Sequence, residues 1–207
     1  MFKLNIDHFN AIRKGPWETV DKTDYRLFTD HETRTIHLIG QSSQKNDWPD
    51  NFDFRAVAFA PAEEWFPGKG ILVHSGFLRQ YKAVRNILLD AAYENPDYAI
   101  RVAGYSLGGT WTQIFVQDIL HRWPDRDILC VAYAPGNPWR KLPGKYKKLL
   151  RNSITFVSCY WDPVTWMIVL RFFRYGHDLK IGKLWRMLPF QHLPDQIIRA
   201  LEERRDT

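Results

Sequence analysis

Hydrophobic and polar positions change their period along the chain near Phe77. Ahead of it, short apolar runs are separated by turn-forming clusters. Thr35 to Ile39, Arg55 to Phe59 and Ile71 to Val73 predict strands. Gln41-Ser42-Ser43, Asp50-Asn51 and Pro67-Gly68-Lys69-Gly70 predict the turns between them. Past Phe77 helical and strand patterns alternate. Tyr81, Val84, Leu88 and Ala91 recur at helical spacing and predict a helix from Leu78 to Tyr93, stopped at Asn95-Pro96. Tyr98 to Ala103 predicts a strand. Leu107 to Arg122 predicts a helix with Leu107, Trp111, Ile114, Phe115 and Ile119 on one face, stopped by Pro124. Ile128 to Ala134 and Ile154 to Tyr160 are nearly all apolar, as strands covered on both faces are. A last helix is predicted to start at Pro194 and to end near Glu203.

This order implies an α/β fold: a mainly parallel central sheet flanked by helices, with an antiparallel N-terminal part. In such sheets ligands bind beyond the carboxyl ends of the strands. The length of 207 residues fits one domain, residues 1–207.

Composition narrows the classes. Hydrophobic residues make up 45% of the chain, which argues against disorder. The longest apolar stretch, Trp161 to Phe173, contains Asp162 and Arg171 and is too short to span a bilayer. No signal-peptide pattern opens the chain, and two cysteines give no disulfide framework. The expectation is a cytoplasmic protein in a reducing compartment, peripheral on membranes at most. The net charge of +6 suits acidic partners, but no nucleic-acid motif accompanies it. The densest basic segment, Arg140 to Arg151, reads as a solvated helix face or as a patch for an anionic membrane surface.

One segment carries chemistry. Gly104-Tyr105-Ser106-Leu107-Gly108-Gly109 lies between a predicted strand and a predicted helix, the context a G-x-S-x-G nucleophile elbow requires. Flanking residues without Cβ let strand and helix approach closely. The helix N-terminus beneath Ser106 aims backbone N–H groups at a developing oxyanion. An elbow of this kind takes its acid and histidine later in the chain, in that order. Asp162 follows the strand ending at Tyr160, at the carboxyl edge. Asp118 lies within the nucleophile helix, and Asp125 and Asp127 lie where a helix returns to the start of a strand. Asp162 is therefore the expected acid. His177 and His192 both satisfy the order, and spacing does not choose between them.

These residues resemble the class 3 lipases, the fungal-lipase-like branch of the α/β-hydrolases. The resemblance runs from about Thr35 to the last helix. Ile36 to Phe52 resembles the family's strand, oxyanion turn and Asp-Trp segment. Val73-His74-Ser75-Gly76-Phe77 resembles Val-His-x-Gly-Phe, Gly104 to Gly109 resembles Gly-His-Ser-Leu-Gly-Gly, and Tyr133 to Asn137 resembles the Gly-x-Pro turn. Asp162-Pro163-Val164 resembles Asp-x-Val-Pro. Tyr105 stands where the family has His, Gly40-Gln41-Ser42 where it has Arg-Gly-Thr/Ser, and Thr165 where it has Pro. The resemblance selects His192, ahead of a C-terminal helix, as the base. It places the second oxyanion donor, beside Leu107 N–H, at Ser42, with Ser43 the neighbouring choice. It also places a lid at Gln44 to Asn51, short and mostly polar.

What the resemblance implies is a serine carboxylic-ester hydrolase acting on acylglycerol- or phospholipid-like esters through Ser106, Asp162 and His192. It implies neither metal nor organic cofactor. The other reading is a non-catalytic scaffold of the same fold that binds lipid or a protein partner.

Overall fold

The near-continuous apolar runs form the centre of one sheet. The computed structural model describes residues 6–41, 53–59, 70–159, 162, 172–181 and 194–205. Its first part runs α1 (Ile6–Arg13), β1 (Glu18–Val20), β2 (Thr23–Asp30), β3 (Thr35–Gly40), β4 (Ala56–Ala58) and β5 (Leu72–His74). Then follow α2 (Ser75–Glu94), β6 (Ala99–Tyr105), α3 (Leu107–Arg122) and β7 (Ile128–Tyr133). The chain continues with β8 (Trp139–Lys141), α4 (Gly144–Ser153), β9 (Ile154–Cys159), β10 (His177–Ile181) and α5 (Pro194–Arg205).

Seven strands pair in the order β1-β2-β3-β6-β7-β9-β10. From β3 to β10 every pairing is parallel, and β1 and β2 add the antiparallel N-terminal part. Strand alternation divides the core in two. Val102, Cys130, Ala132 and Phe156 face the side covered by α2, α3 and α4. Ala103, Val131, Tyr133 and Val157 face the side covered by α1 and α5. Neighbouring residues thus belong to opposite cores, which is why these strands lack a polar face. β4, β5 and β8 pair apart from the main sheet as a small antiparallel one.

The basic segment corrects the expectation of a continuous helix face. Trp139–Lys141 is a strand because Trp139 is fully buried and Val73 pairs with it, and the helix begins only at Gly144. Tyr146 then bonds His121 in the last turn of α3, and Lys147 stacks on Tyr175. These anchors hold α4 toward the amino ends of the strands. Among the described residues no helix is long and apolar enough to cross a membrane.

α2 begins three residues before the predicted Leu78 because His74 caps it. The Nδ1 atom of His74 accepts from Phe77 N–H at 3.4 Å, and the ring stacks on Phe77 at 3.9 Å. Burial holds the imidazole neutral, with a pKa down at about 4, against a smaller opposing pull from Asp53. Protonation would remove the acceptor and set a cation at the positive end of a helix dipole. The unfolded chain titrates near 6.5, so the neutral ring contributes its full stability above that pH. The contribution is lost as pH falls from 6.5 toward 4, and amounts to about 3 kcal/mol. His74→Asn keeps a capping acceptor without a titrating ring. Urea unfolding at pH 7, 5.5 and 4.5 is expected to show a shallower fall of stability in that variant. Parallel profiles would remove His74 from the account.

Candidate active site

β6 enters the elbow and α3 leaves it. Ser106 sits at φ 53° and ψ −119°, a left-handed conformation that a residue with a side chain rarely adopts. Backbone contacts hold it there. Ser106 N–H donates to Tyr133 carbonyl at 2.9 Å, extending the β6–β7 ladder by one residue. Its own carbonyl accepts from Thr110 N–H at 3.0 Å and from the Thr110 hydroxyl at 2.7 Å.

Close approach explains the glycines. A Cβ on Gly104 would lie 2.6 Å from Gly108 C and Gly109 N, and one on Gly108 would run into the carbonyl oxygens of Gly40 and Gln41. Gly40, which departs from the family pattern, is thus the surface on which the first turn of α3 rests. Leu107 is the first residue of that turn, whose amides a helix leaves without intrahelical acceptors. One such amide is what an oxyanion hole needs.

Just past β7 stands another left-handed residue, Ala134 at φ 45°. Its N–H donates to Val157 carbonyl at 2.7 Å, and Gly136 N–H donates to Thr110 Oγ1 at 2.7 Å. Gln113 Nε2 bonds the carbonyls of Gly109 and Gly136. Thr110 and Gln113 therefore lock the turn after β7 onto the elbow. Sequence reasoning missed both, although a hydroxyl four residues after a helix N-cap was a readable cue for a bond to that carbonyl.

Asp162 comes three residues after β9, fully buried, with its N–H toward Cys159 carbonyl at 3.4 Å. Its charge reaches the neighbouring Tyr105. Burial, reinforced by the Asp162 carboxylate, pushes that phenol far above its ordinary range. Ser106 and Asp162, the expected nucleophile and acid, thus stand at the carboxyl ends of β6 and β9, with the β7 turn between them.

His177 opens β10 in register with Thr155 and is exposed. At about 3.3 Å per residue and 4.8 Å per strand, that position is more than about 15 Å from Ser106. Of the two histidines the chain order allows, His177 is therefore out of reach. His192, Ser42, Ser43 and the lid segment Gln44 to Asn51 lie outside the described residues. Asp118 is withdrawn from the site by Tyr81, Arg85 and Arg122, and Asp127 pairs with Arg101 at the amino ends of β6 and β7. Among the described residues, no group of three or more histidine, cysteine or carboxylate side chains could hold a metal ion.

A strained serine between strand and helix, at the carboxyl edge of a parallel sheet covered on both faces, defines an α/β-hydrolase. The profile of one of its families, Lipase (class 3), matches residues 37–170. The chain belongs to the class 3 lipase family. A lipase from Rhizomucor miehei is 31% identical over 113 residues, which are 51% of this chain and 29% of that protein. The matched region thus spans under a third of that relative. Solved structures agree on the fold. The fungal lipase of an inhibitor complex superposes with a TM-score of 0.64 at 18% identity, over 83% of this chain and 67% of that one. A triacylglycerol lipase whose catalytic centre is a serine-protease triad gives 0.63 at 18%, over 81% and 66%. Lip2 lipase from Yarrowia lipolytica gives 0.58 at 18%, over 82% and 66%.

Proposed function

We propose that the chain hydrolyses carboxylic esters of acylglycerol or phospholipid type through a Ser106–His192–Asp162 triad. The observation that carries the reading is Ser106 at φ 53° on the elbow, with Asp162 buried beyond a neighbouring parallel strand. Family membership and the triad of the similar triacylglycerol lipase support it.

In this reading Ser106 Oγ attacks the ester carbonyl while His192 accepts the hydroxyl proton. The oxyanion is held by the Leu107 amide and one from Ser42. Collapse expels the alcohol, which takes its proton from His192, and leaves an acyl group on Ser106. Water, deprotonated by the same histidine, releases the acid. Asp162 orients the imidazole and stabilises its charged form without taking the proton. A panel of p-nitrophenyl esters from acetate to palmitate, with phospholipid vesicles alongside, tests the reading and its substrate class. No turnover of any of them by the folded protein would leave the scaffold reading standing.

The reading extends to docking on anionic lipid. Supporting it are the net charge of +6 and the exposed Arg140, Lys141, Lys145, Lys148 and Arg151. Each basic residue near an anionic bilayer contributes about 1 kcal/mol, screened over roughly 8–10 Å at ordinary salt. Lys145→Glu, Lys148→Glu and Arg151→Glu together are expected to weaken vesicle binding, most at low ionic strength. Turnover of a soluble ester should hold, because α4 is anchored toward the opposite end of the strands from Ser106. Unchanged vesicle binding would make this a solvated helix face.

A further inference from the structure

The end of β7 and the turn after it hold both peptide groups that flank Ser106. The preceding group donates through Ser106 N–H to Tyr133 carbonyl at 2.9 Å. The following group joins Ser106 carbonyl to Leu107 N–H, and a trans peptide points these two in opposite directions. Whatever fixes the carbonyl therefore aims the amide. Two donors fix it. One is Thr110 N–H at 3.0 Å, the bond any α-helix supplies at this place, and the other is the Thr110 hydroxyl at 2.7 Å.

A helical threonine that bonds the carbonyl four residues back is ordinary. Thr110 goes further, because its oxygen also accepts from Gly136 N–H at 2.7 Å, from a turn 26 residues away in sequence. An amide N–H only donates, so the hydroxyl proton is left to point at Ser106 carbonyl. Thr110 is 1% exposed and Gly136 is buried, which leaves no solvent to take over either bond. Gln113, fully buried, fixes the far side of the turn. Its Nε2 donates to Gly109 carbonyl at 3.0 Å and to Gly136 carbonyl at 3.2 Å. The result is a chain of donors that all run one way, from Gly136 N–H through Thr110 O–H to the Ser106–Leu107 peptide, ending on Leu107 N–H. Hydrogen bonds in such a chain polarise one another, and the effect is larger where water is excluded.

We propose that Thr110 is a positioning residue for the oxyanion hole: its hydroxyl orients and polarises the peptide whose N–H, at Leu107, receives the developing negative charge. This rests on the ester-hydrolase reading. The ester carbonyl oxygen gains charge only as an oxygen bonds to its carbon. A stronger donor at Leu107 therefore stabilises the tetrahedral state more than the bound ester. Acylation and deacylation both pass through such a state, so loss of the hydroxyl lowers kcat and leaves KM in place. The Thr110 N–H bond survives truncation of the side chain, so the first turn of α3 keeps its trace.

The experiment measures kcat and KM for a soluble ester, per Ser106 labelled by a fluorophosphonate, in wild type, Thr110→Val and Thr110→Ser. Inhibition by a trifluoromethyl ketone is measured alongside, since Ser106 Oγ adds to its carbonyl carbon and leaves a tetrahedral oxyanion. Thr110→Val keeps the shape and loses the hydroxyl. A whole oxyanion donor supplies ~10² to 10³ in kcat, and losing its support should take part of that, about three- to tenfold. KM is expected to hold, the inhibition constant to rise by the factor that kcat falls, and Thr110→Ser to restore both. An unmoved kcat per labelled Ser106 in folded Thr110→Val overturns the inference and makes Thr110 merely structural, whatever its unfolding temperature. So does a fall in kcat with an unmoved inhibition constant, or one that Thr110→Ser shares in full. Should Thr110→Val not fold, Thr110→Ala takes its place under the same criteria. Absence of labelling in the wild type rejects the hydrolase reading, and with it this one.

Discussion

Ser106→Ala is expected to abolish ester hydrolysis, by ~10⁴ to 10⁶ in kcat, while the protein stays folded. The loss follows from removing the nucleophile, since an oxyanion hole and a base alone give only residual catalysis. Retention of the fold follows from how the elbow is held. Tyr133 carbonyl, Thr110 N–H and the Thr110 hydroxyl all contact Ser106 through its backbone, and alanine leaves these bonds in place. Ser106→Gly separates the two roles further. A left-handed non-glycine residue costs about 1–3 kcal/mol, which glycine removes at some expense in unfolded-chain entropy. The glycine variant should therefore be as inactive as alanine yet melt higher, by roughly 2–4 °C per kcal/mol for a chain of this size. Ester turnover, fluorophosphonate labelling and thermal unfolding read both effects. Wild-type-like turnover by a folded Ser106→Ala protein would sink the mechanism.

The elements nearest the site were the most legible in sequence, for a physical reason. β6, β7 and β9 are buried on both faces, so their apolar runs stand out without any periodicity to judge. α3 spans its predicted Leu107 to Arg122, fixed by the elbow at one end and Pro124 at the other. Legibility falls where one face is wet. β2 turns Tyr25 and Leu27 inward and Arg26 and Phe28 outward, and the exposed Phe28 breaks the polar face that would have marked it as a strand. β10 reads as polar because Asp178 and Lys180 belong to the charged cluster at the end of β9. In the candidate site, the places of Ser106 and Asp162 just past β6 and β9 were readable from the strand ends they follow. Thr110 and Gln113 were not, because each acts through a turn that lies beside it only after folding.

Asp118→Ala is expected to destabilise the protein by about 3–5 kcal/mol, which at this chain length lowers the unfolding temperature by roughly 6–20 °C. Asp118 is fully buried in the middle of α3. Its carboxylate accepts from Tyr81 Oη at 2.6 Å, from Arg85 Nε at 2.7 Å and from Arg122 Nε at 3.1 Å. Truncation leaves two mostly buried guanidinium groups facing each other without a counter-charge, together with a buried phenol that has lost its acceptor. Asp118→Asn keeps the volume and one acceptor for Tyr81 but removes the charge, so its loss should fall between alanine and wild type. The same network joins α2 to α3, and α3 carries Ser106 at its N-terminus. Destabilisation should therefore appear in activity only as fewer folded molecules, with kcat per labelled Ser106 unchanged at low temperature. A drop in that quantity would mean that the clamp also sets the elbow's geometry, whereas an unfolding temperature within about 2 °C of wild type would show that the two arginines find water at little cost.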